Sequence, residues 1–294
     1  MRILFCIPHY FNPEGGGRHG SLKRDSKPRL QALEACLGAL HQLFGRGQGM
    51  IDIHHRRLLA ANRSMVHDID IVLCTTGEDH LLARVQLPPH LFGHRAAACE
   101  PLRLGFECQM VLRDAFEHYD YCCYLEDDLV LHDPWFFAKL AWFNAQAEPV
   151  NVLLPNRYEV SNRGPIHKVY VDGNLAPRVT VPWQNIEGQP PIVCQSLGTT
   201  IHLERTLNPH SGCYFLSREQ MRRWVNAPHF LDGDTSFVGP LESAATLGIL
   251  KTFNVYKPGR DTPSFLEIQH SGTAFLDLVG RQVHLSVKSE SEPH

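Results

Sequence analysis

Residues Tyr121–Phe137 read YCCYLEDDLVLHDPWFF, and the fold turns on how this stretch is understood. Tyr121–Leu125 is a short, wholly apolar run with the aromatic content of a buried strand. Three consecutive acids, Glu126, Asp127 and Asp128, follow it directly. Like charges gathered at a strand end repel one another. A hard divalent cation removes that repulsion, because Mg²⁺ and Mn²⁺ take oxygen ligands from a few carboxylates and complete their shells with phosphate oxygens. The plainer alternative is a solvated acidic turn ahead of Pro134.

Working outward, the preceding segment GFECQMVLRDAFEHY predicts a helix opening on Gly105. DIDIVLCTT predicts an apolar strand before it, and residues 2–8 a first strand ended by Pro8. After Pro28, Leu30, Leu33, Leu37 and Leu40 recur at helical spacing and stop near Gly45. The first 125 residues thus alternate strand and helix, which implies a mostly parallel sheet. Ligands bind at the carboxyl ends of such strands, where the three acids stand. The segment Asn12–Lys27 has no periodicity and predicts a loop; its Gly15-Gly16-Gly17 cluster lacks the spacing of a phosphate-binding P-loop.

Downstream, KVYVDGNLAPRVTV predicts a hairpin about Asp172-Gly173. GCYFLS, KTFNVYKP and SFLEIQH predict strands, and REQMRRWVN and PLESAATLGIL predict helices. We expect one domain over residues 1–285, with a strand–helix half (1–133), a β-rich, substrate-facing half (134–285) extending the same sheet, and a frayed tail (286–294).

The 294 residues are 43% hydrophobic and 20% charged, with a net charge of −3, so no global field favours nucleic acid or an anionic membrane. No apolar stretch approaches the ~18 residues of a membrane span. The run Ile3–Ile7 is too short for a signal peptide. Nine cysteines without a C-x-x-C pair argue against a disulfide framework or a structural zinc site, and Cys122 and Cys123 should point to opposite faces of a strand. A cytoplasmic protein, free or peripheral at a membrane, is expected.

YLEDDLVLHDPWFF resembles the E-D-D segment of N-acetylglucosaminyltransferase I and related GT-A glycosyltransferases, over about fifteen residues. The opening MRILFCIPHYFNPEGGG would also suit the two-Rossmann GT-B glycosyltransferases. Those need a longer chain and a late E-x7-E motif, whereas EPLRLGFE leaves six residues between Glu100 and Glu107 and comes early. The resemblance therefore implies an α/β fold built on a single GT-A, Rossmann-like, mixed and mostly parallel sheet flanked by helices. It implies that Asp128 binds Mn²⁺ or Mg²⁺ bridging the donor diphosphate, that Glu126 contacts the ribose region, and that Asp127 supports the site.

The same resemblance places Pro8, His9 and Tyr10 near base and ribose, and Asp79 in CTTGEDH as an acceptor for the uracil N3–H. Arg103 in LRLGF becomes a phosphate or ribose contact, with a plain surface arginine as the equal alternative. His270 in LEIQHSG resembles the family's C-terminal metal histidine, with His284 as a rival among 18 histidines. Where many members carry x-E-D, this chain has Leu241-Glu242-Ser243, so Glu242 is the candidate base and Asp232 and Asp234 its rivals. Tyr158, Trp183 and His210 are candidates for an acceptor pocket or, equally, for core anchors. The expected partners are a nucleoside-diphosphate sugar, a UDP-sugar first, and a glycan or other hydroxyl acceptor, so the resemblance makes residues 1–133 the nucleotide-binding half and 134–285 the acceptor-binding half. Inversion is favoured, and the missing x-E-D aspartate leaves retention open. The alternatives are a sugar-nucleotide nucleotidyltransferase, whose N-terminal Gly-Thr-Arg signature is missing, and a silent nucleotide- or glycan-binding domain.

Overall fold

A computed structural model describes residues 1–16, 20–196 and 198–284. Gly17 of the glycine cluster and the tail from residue 286 lie outside the described residues. The first half runs β1 (Arg2–Pro8), α1 (Lys27–Phe44), β2 (Gly49–Asp52), β3 (Arg57–Ala60), β4 (Asp68–Thr76), β5 (Gly93–Ala97), α2 (Leu104–Ala115), β6 (Tyr121–Leu125) and β7 (Leu129–Val130). There follow α3 (Phe136–Gln146), β8 (Asn151–Leu153), β9 (Asn156–Val160), β10 (Lys168–Tyr170), β11 (Ile192–Ser196) and β12 (Thr199–Arg205). The chain continues through β13 (Cys213–Ser217), α4 (Arg218–Val225), α5 (Pro240–Thr252), β14 (Asn254–Pro258) and β15 (Glu267–His270).

Local chemistry explains the helix starts. Pro28 sits in the first turn of α1, where a missing N–H costs nothing, and the helix buries Leu33, Leu37, Leu40 and Phe44. A reciprocal cap opens α4: the Ser217 hydroxyl accepts from the Gln220 N–H, and the Gln220 side chain accepts from the Ser217 N–H.

The central sheet has the order β13-β6-β1-β4-β5. Its four strands β6, β1, β4 and β5 are parallel, and β13 closes one edge antiparallel to β6. Side chains alternate between its two faces. Ile3, Phe5, Ile7 and Cys123 pack with α1 and α3, while Leu4, Cys6, Cys122 and Tyr124 pack with α2, α4 and α5. Cys122 and Cys123 do part to opposite faces.

Three features differ from expectation. The second half does not simply extend the central sheet: among the described residues only its β13 joins it, and its other seven strands form, with β7, two four-stranded sheets, β10-β9-β15-β7 and β11-β12-β14-β8. The chain leaves the central sheet where the three acids end β6, and β7 pairs with β15 instead. The expected hairpin at Asp172-Gly173 does not form, because a turn tip must face water and the Asp172 carboxylate is buried between Arg157 and Lys257. Conversely β2 and β3 make an unanticipated hairpin, a two-stranded sheet of its own. Among the described residues, no helix is long and apolar enough to cross a membrane.

Candidate functional site

The three acids occupy a tight turn at the carboxyl end of β6. The Glu126 N–H donates to Gly212 O at 3.0 Å, and the Leu129 N–H donates back to Glu126 O at 3.1 Å. Gly212 holds φ +62°, and a Cβ there would stand 2.4 Å from Glu126 Oε2. Only glycine allows that approach without a shift.

Each aspartate is held differently. Asp127 is 1% exposed and is gripped from two sides. His9, beyond the end of β1, accepts the Leu81 N–H on Nε2 at 3.0 Å, so its proton sits on Nδ1 and is donated to Asp127 Oδ2 at 2.5 Å. Arg29, in the first turn of α1, donates through one terminal nitrogen to Asp127 and through the other to Asp128 Oδ2 at 2.8 Å. Burial opposes ionisation of Asp128, but Arg29 and then His270 outweigh it and hold its carboxyl below the ordinary value. Glu126 has no such cation in contact among the described residues. Burial and then the Asp128 charge push it up to about 7 against the pull of Arg157 and His270.

His270 reaches the turn through the antiparallel pairing of β15 with β7, in which His270 stands opposite Leu129. Its Nε2 lies 3.9 Å from Asp128 Oδ2. Its Nδ1 is 2.9 Å from Oε1 of the fully buried Glu159, whose other oxygen accepts the Phe275 and Leu276 N–H groups at 2.9 and 2.7 Å. Burial disfavours the imidazolium, yet the bond to Glu159 and the charge of Asp128 raise its pKa overall.

Behind this lies a second buried charge cluster. Arg157 donates to Asp172 Oδ1 at 2.9 Å, and Lys257 donates to Asp172 Oδ2 at 2.8 Å and to His210 O at 2.6 Å. Burial acts to raise the Asp172 pKa, but Lys257 and Arg157 hold it below the usual carboxylate range. The His210 imidazole, 2.8 Å from the Thr246 hydroxyl of α5, is pushed well below its ordinary value, first by burial and then by Arg157.

The other candidates fall in several places. Tyr10 and Asp79 pair at the carboxyl ends of β1 and β4, with the tyrosine hydroxyl 3.3 Å from Asp79 Oδ2, and Pro8 ends β1 beside them. His9 is fully buried, so its part in the site runs through Asp127. Glu242 lies in the first turn of α5, one turn before Thr246 and hence on the same helix face. Asp232 and Asp234 both accept from Lys251 at 2.7 Å, and Arg103 donates to Gly233 O at 2.6 Å. Trp183 packs edge-on to Phe237, ahead of α5. Tyr158 is 7% exposed beneath the Lys168 ammonium, and strand alternation puts it on the face of β9 away from Arg157 and Glu159. His284 is exposed and is not brought to the acids. Arg29, Glu159, Arg157, Asp172 and Lys257 were not anticipated; only the charged residues inside apolar β-rich runs hinted at the last four.

The residues present fit a divalent cation. Asp128 Oδ1 is buried with no hydrogen-bond partner among the described residues. The Glu159 bond fixes the orientation of His270 and leaves Nε2 toward that same carboxylate, the outer-shell support usual for histidine ligands. One carboxylate oxygen and one imidazole nitrogen suit Mn²⁺ and, less well, Mg²⁺. A different set of ligating atoms, the Cys6, Cys74 and Cys108 sulfurs, lies mutually within 4.8 Å in the apolar core. Burial there raises the Cys6 and Cys108 thiols well above their ordinary value, whereas the hydrogen bonds from Cys108 and then Cys6 lower the Cys74 thiol to about 4.

No protein-family model matches the chain, and no curated protein matches its sequence. It is similar in structure to mannose-1-phosphate geranyltransferase from Thermus thermophilus (14% identity over 92% of this chain and 74% of that one, TM-score 0.40). It is also similar to 4-diphosphocytidyl-2C-methyl-D-erythritol synthase (11% identity, 82% and 84%, TM-score 0.33). Another is S. aureus TarS in complex with UDP-GlcNAc (11% identity, TM-score 0.29), where the match takes in 57% of this chain and 37% of TarS. Likenesses at those TM-scores carry no weight on activity. The chemistry has to come from the side chains.

Proposed function

We propose that this chain is a GT-A glycosyltransferase that moves a sugar from a nucleoside-diphosphate donor, UDP first, to a hydroxyl of a glycan or other acceptor with inversion. The observation that carries the reading is the carboxylate–imidazole pair Asp128 and His270, gathered at the carboxyl end of a mostly parallel sheet. Asp128 and His270 would hold Mn²⁺ or Mg²⁺, which when bound supplies Lewis-acid neutralisation of the departing diphosphate. Arg29, already shared between two aspartates, would give up Asp128 and meet donor phosphate as charge accumulates there. Tyr10 and Asp79 would take the base edge, and Glu126 the ribose.

Glu242 would accept the proton of the acceptor hydroxyl as that oxygen bonds the anomeric carbon and the carbon–diphosphate bond breaks. Its rivals Asp232 and Asp234 are engaged by Lys251. Trp183, against Phe237 just ahead of α5, and His210, against Thr246 within it, would border the acceptor.

The test measures products from a panel of sugar nucleotides with and without Mn²⁺. Nucleoside diphosphate release that depends on an added hydroxyl acceptor supports the reading; pyrophosphate would mean nucleotidyl transfer, and binding without turnover a silent domain. Glu242→Gln should lower kcat by roughly 10²-fold or more with donor affinity nearly unchanged. A loss of donor binding instead would move Glu242 into the nucleotide pocket.

A further inference from the structure

The β2–β3 hairpin differs from every other part of the molecule. Met50, Ile51, Ile53, Leu58 and Leu59 are 65, 73, 83, 71 and 41% exposed, five large apolar side chains within ten residues. The register pairs Ile51 with Leu58 on one face and Met50 with Leu59 on the other. Leu58 folds over Gly49, where a Cβ would meet its Cδ1 at 2.6 Å, so that face is a continuous apolar strip. An isolated two-stranded hairpin is marginal in water. This one pairs only with itself among the described residues, anchored at its base by the Ala61 N–H to Gln48 O bond at 3.0 Å and the Asn62 amide to Gln48 Oε1 at 2.7 Å.

Its charge is equally distinctive. Residues 46–63 carry Arg46, Arg56, Arg57 and Arg63 against the single acid Asp52, a net +3 with histidine neutral, on a chain whose total is −3; Arg46 is paired with Asp68 and Arg57 with Asp52, while Arg56 and Arg63 have no carboxylate partner among the described residues. All four arginines are exposed, and Arg56 and Arg57 sit at the tip beside His54 and His55. We propose that this hairpin docks the protein on an anionic lipid surface, with Ile51, Ile53 and Leu58 entering the interface and the arginines meeting headgroup phosphates. Exposed apolar side chains interleaved with arginine on a projecting hairpin are what an interfacial anchor requires. A second copy fits less well, because stacking two hairpins would bring together the net positive charge of both, including the unpaired Arg56 of each tip.

The geometry also serves the site. The hairpin leaves the body between the end of α1 and the start of β4, at the amino ends of the parallel strands, whereas the acids lie at the carboxyl ends. A docked molecule turns its candidate site away from the lipid, toward water. The inference does not depend on the glycosyl-transfer reading.

Flotation of the full chain with vesicles tests it. The chain should float with mixed phosphatidylcholine–phosphatidylglycerol vesicles and far less with phosphatidylcholine alone, with added salt weakening the difference. Ile51→Asp/Leu58→Asp should lower the partition coefficient by about tenfold or more, and Arg56→Gln/Arg57→Gln by about tenfold on the anionic vesicles only. Should the double aspartate variant fail to fold by circular dichroism, Ile53→Ser at the tip carries the test with a smaller loss in the same direction. No flotation, or flotation that both variants leave intact, overturns the proposal. So does wild-type self-association in sedimentation velocity that Ile51→Asp/Leu58→Asp abolishes, since a second copy would then be the occupant.

Discussion

The two ends of the central sheet handle side chains in opposite ways. At the carboxyl end, charged groups are buried, and the buried aspartates have a cation or imidazole against them: Asp127 with Arg29 and His9, Asp172 with Arg157 and Lys257. At the amino end, apolar side chains of the β2–β3 hairpin stand in water with nothing folded over them among the described residues. Burying charge is costly unless it is paired, and exposing apolar surface forgoes the main driving force of folding. A chain that does both, at opposite ends of one sheet, carries two features that folding alone does not reward. The difference separates what must be over-determined, a charged site, from what can stand free until something covers it.

The comparison breaks most sharply at Asp128. Asp128→Asn should leave a folded protein whose turnover falls on the order of 10³-fold, because the charge that would hold a cation against the diphosphate is gone; Asp127→Asn should be milder. Near wild-type rates at saturating donor and Mn²⁺ would falsify the site.

Stability offers the next contrast. Asp172→Asn strands Arg157 and Lys257 without a counter-charge and should cost about 3–5 kcal/mol in urea unfolding. Ile51→Asp/Leu58→Asp on the exposed hairpin should stay within about 0.5 kcal/mol. Equal losses at the two ends would erase the distinction drawn between them.

Glu159→Gln sharpens the picture at finer grain. It weakens the acceptor that orients His270 and should reduce Mn²⁺ affinity by about 10–100-fold, measured by the paramagnetic resonance of free Mn²⁺. Unchanged affinity would make Glu159 a cap for the Phe275 and Leu276 N–H groups and no more.

The smallest expected effect is on pH. His210 is held neutral in the fold, so below the unfolded-chain value near ~6.5 the unfolded chain binds a proton that the native one refuses. Its contribution is fully present above that pH and is lost as pH falls. His210→Gln should therefore make the decline in Tm between about pH 7 and pH 5 shallower. A parallel decline in both proteins would assign the acid sensitivity elsewhere.

What was legible in the sequence was local. The strand Tyr121–Leu125, the acids ending it, the helices at Lys27–Phe44, Arg218–Val225 and Pro240–Thr252, and the opposed faces of Cys122 and Cys123 follow from periodicity and turn chemistry, which act over a few residues. The hairpin was illegible because its apolar residues lie on both faces, which gives no period-2 signal of a buried side. Asp172-Gly173 has the composition of a turn, yet the energy of pairing a buried carboxylate with two cations overrode it.

Three acids in a row were given by the chain itself, and with them the place of the candidate site. Which groups meet them was decided only by the tertiary structure. Arg29 is 99 residues from Asp128, His9 is 118 from Asp127, and Glu159 is 111 from His270. Each pair is made by strand order and register, β1 beside β6 and β15 between β7 and β9, and no local pattern encodes those choices. The charge that Asp128 keeps and the near-neutral titration of Glu126 follow from burial and from those distant neighbours. A sequence sets which residues carry charge; the fold sets the dielectric and the company in which they carry it.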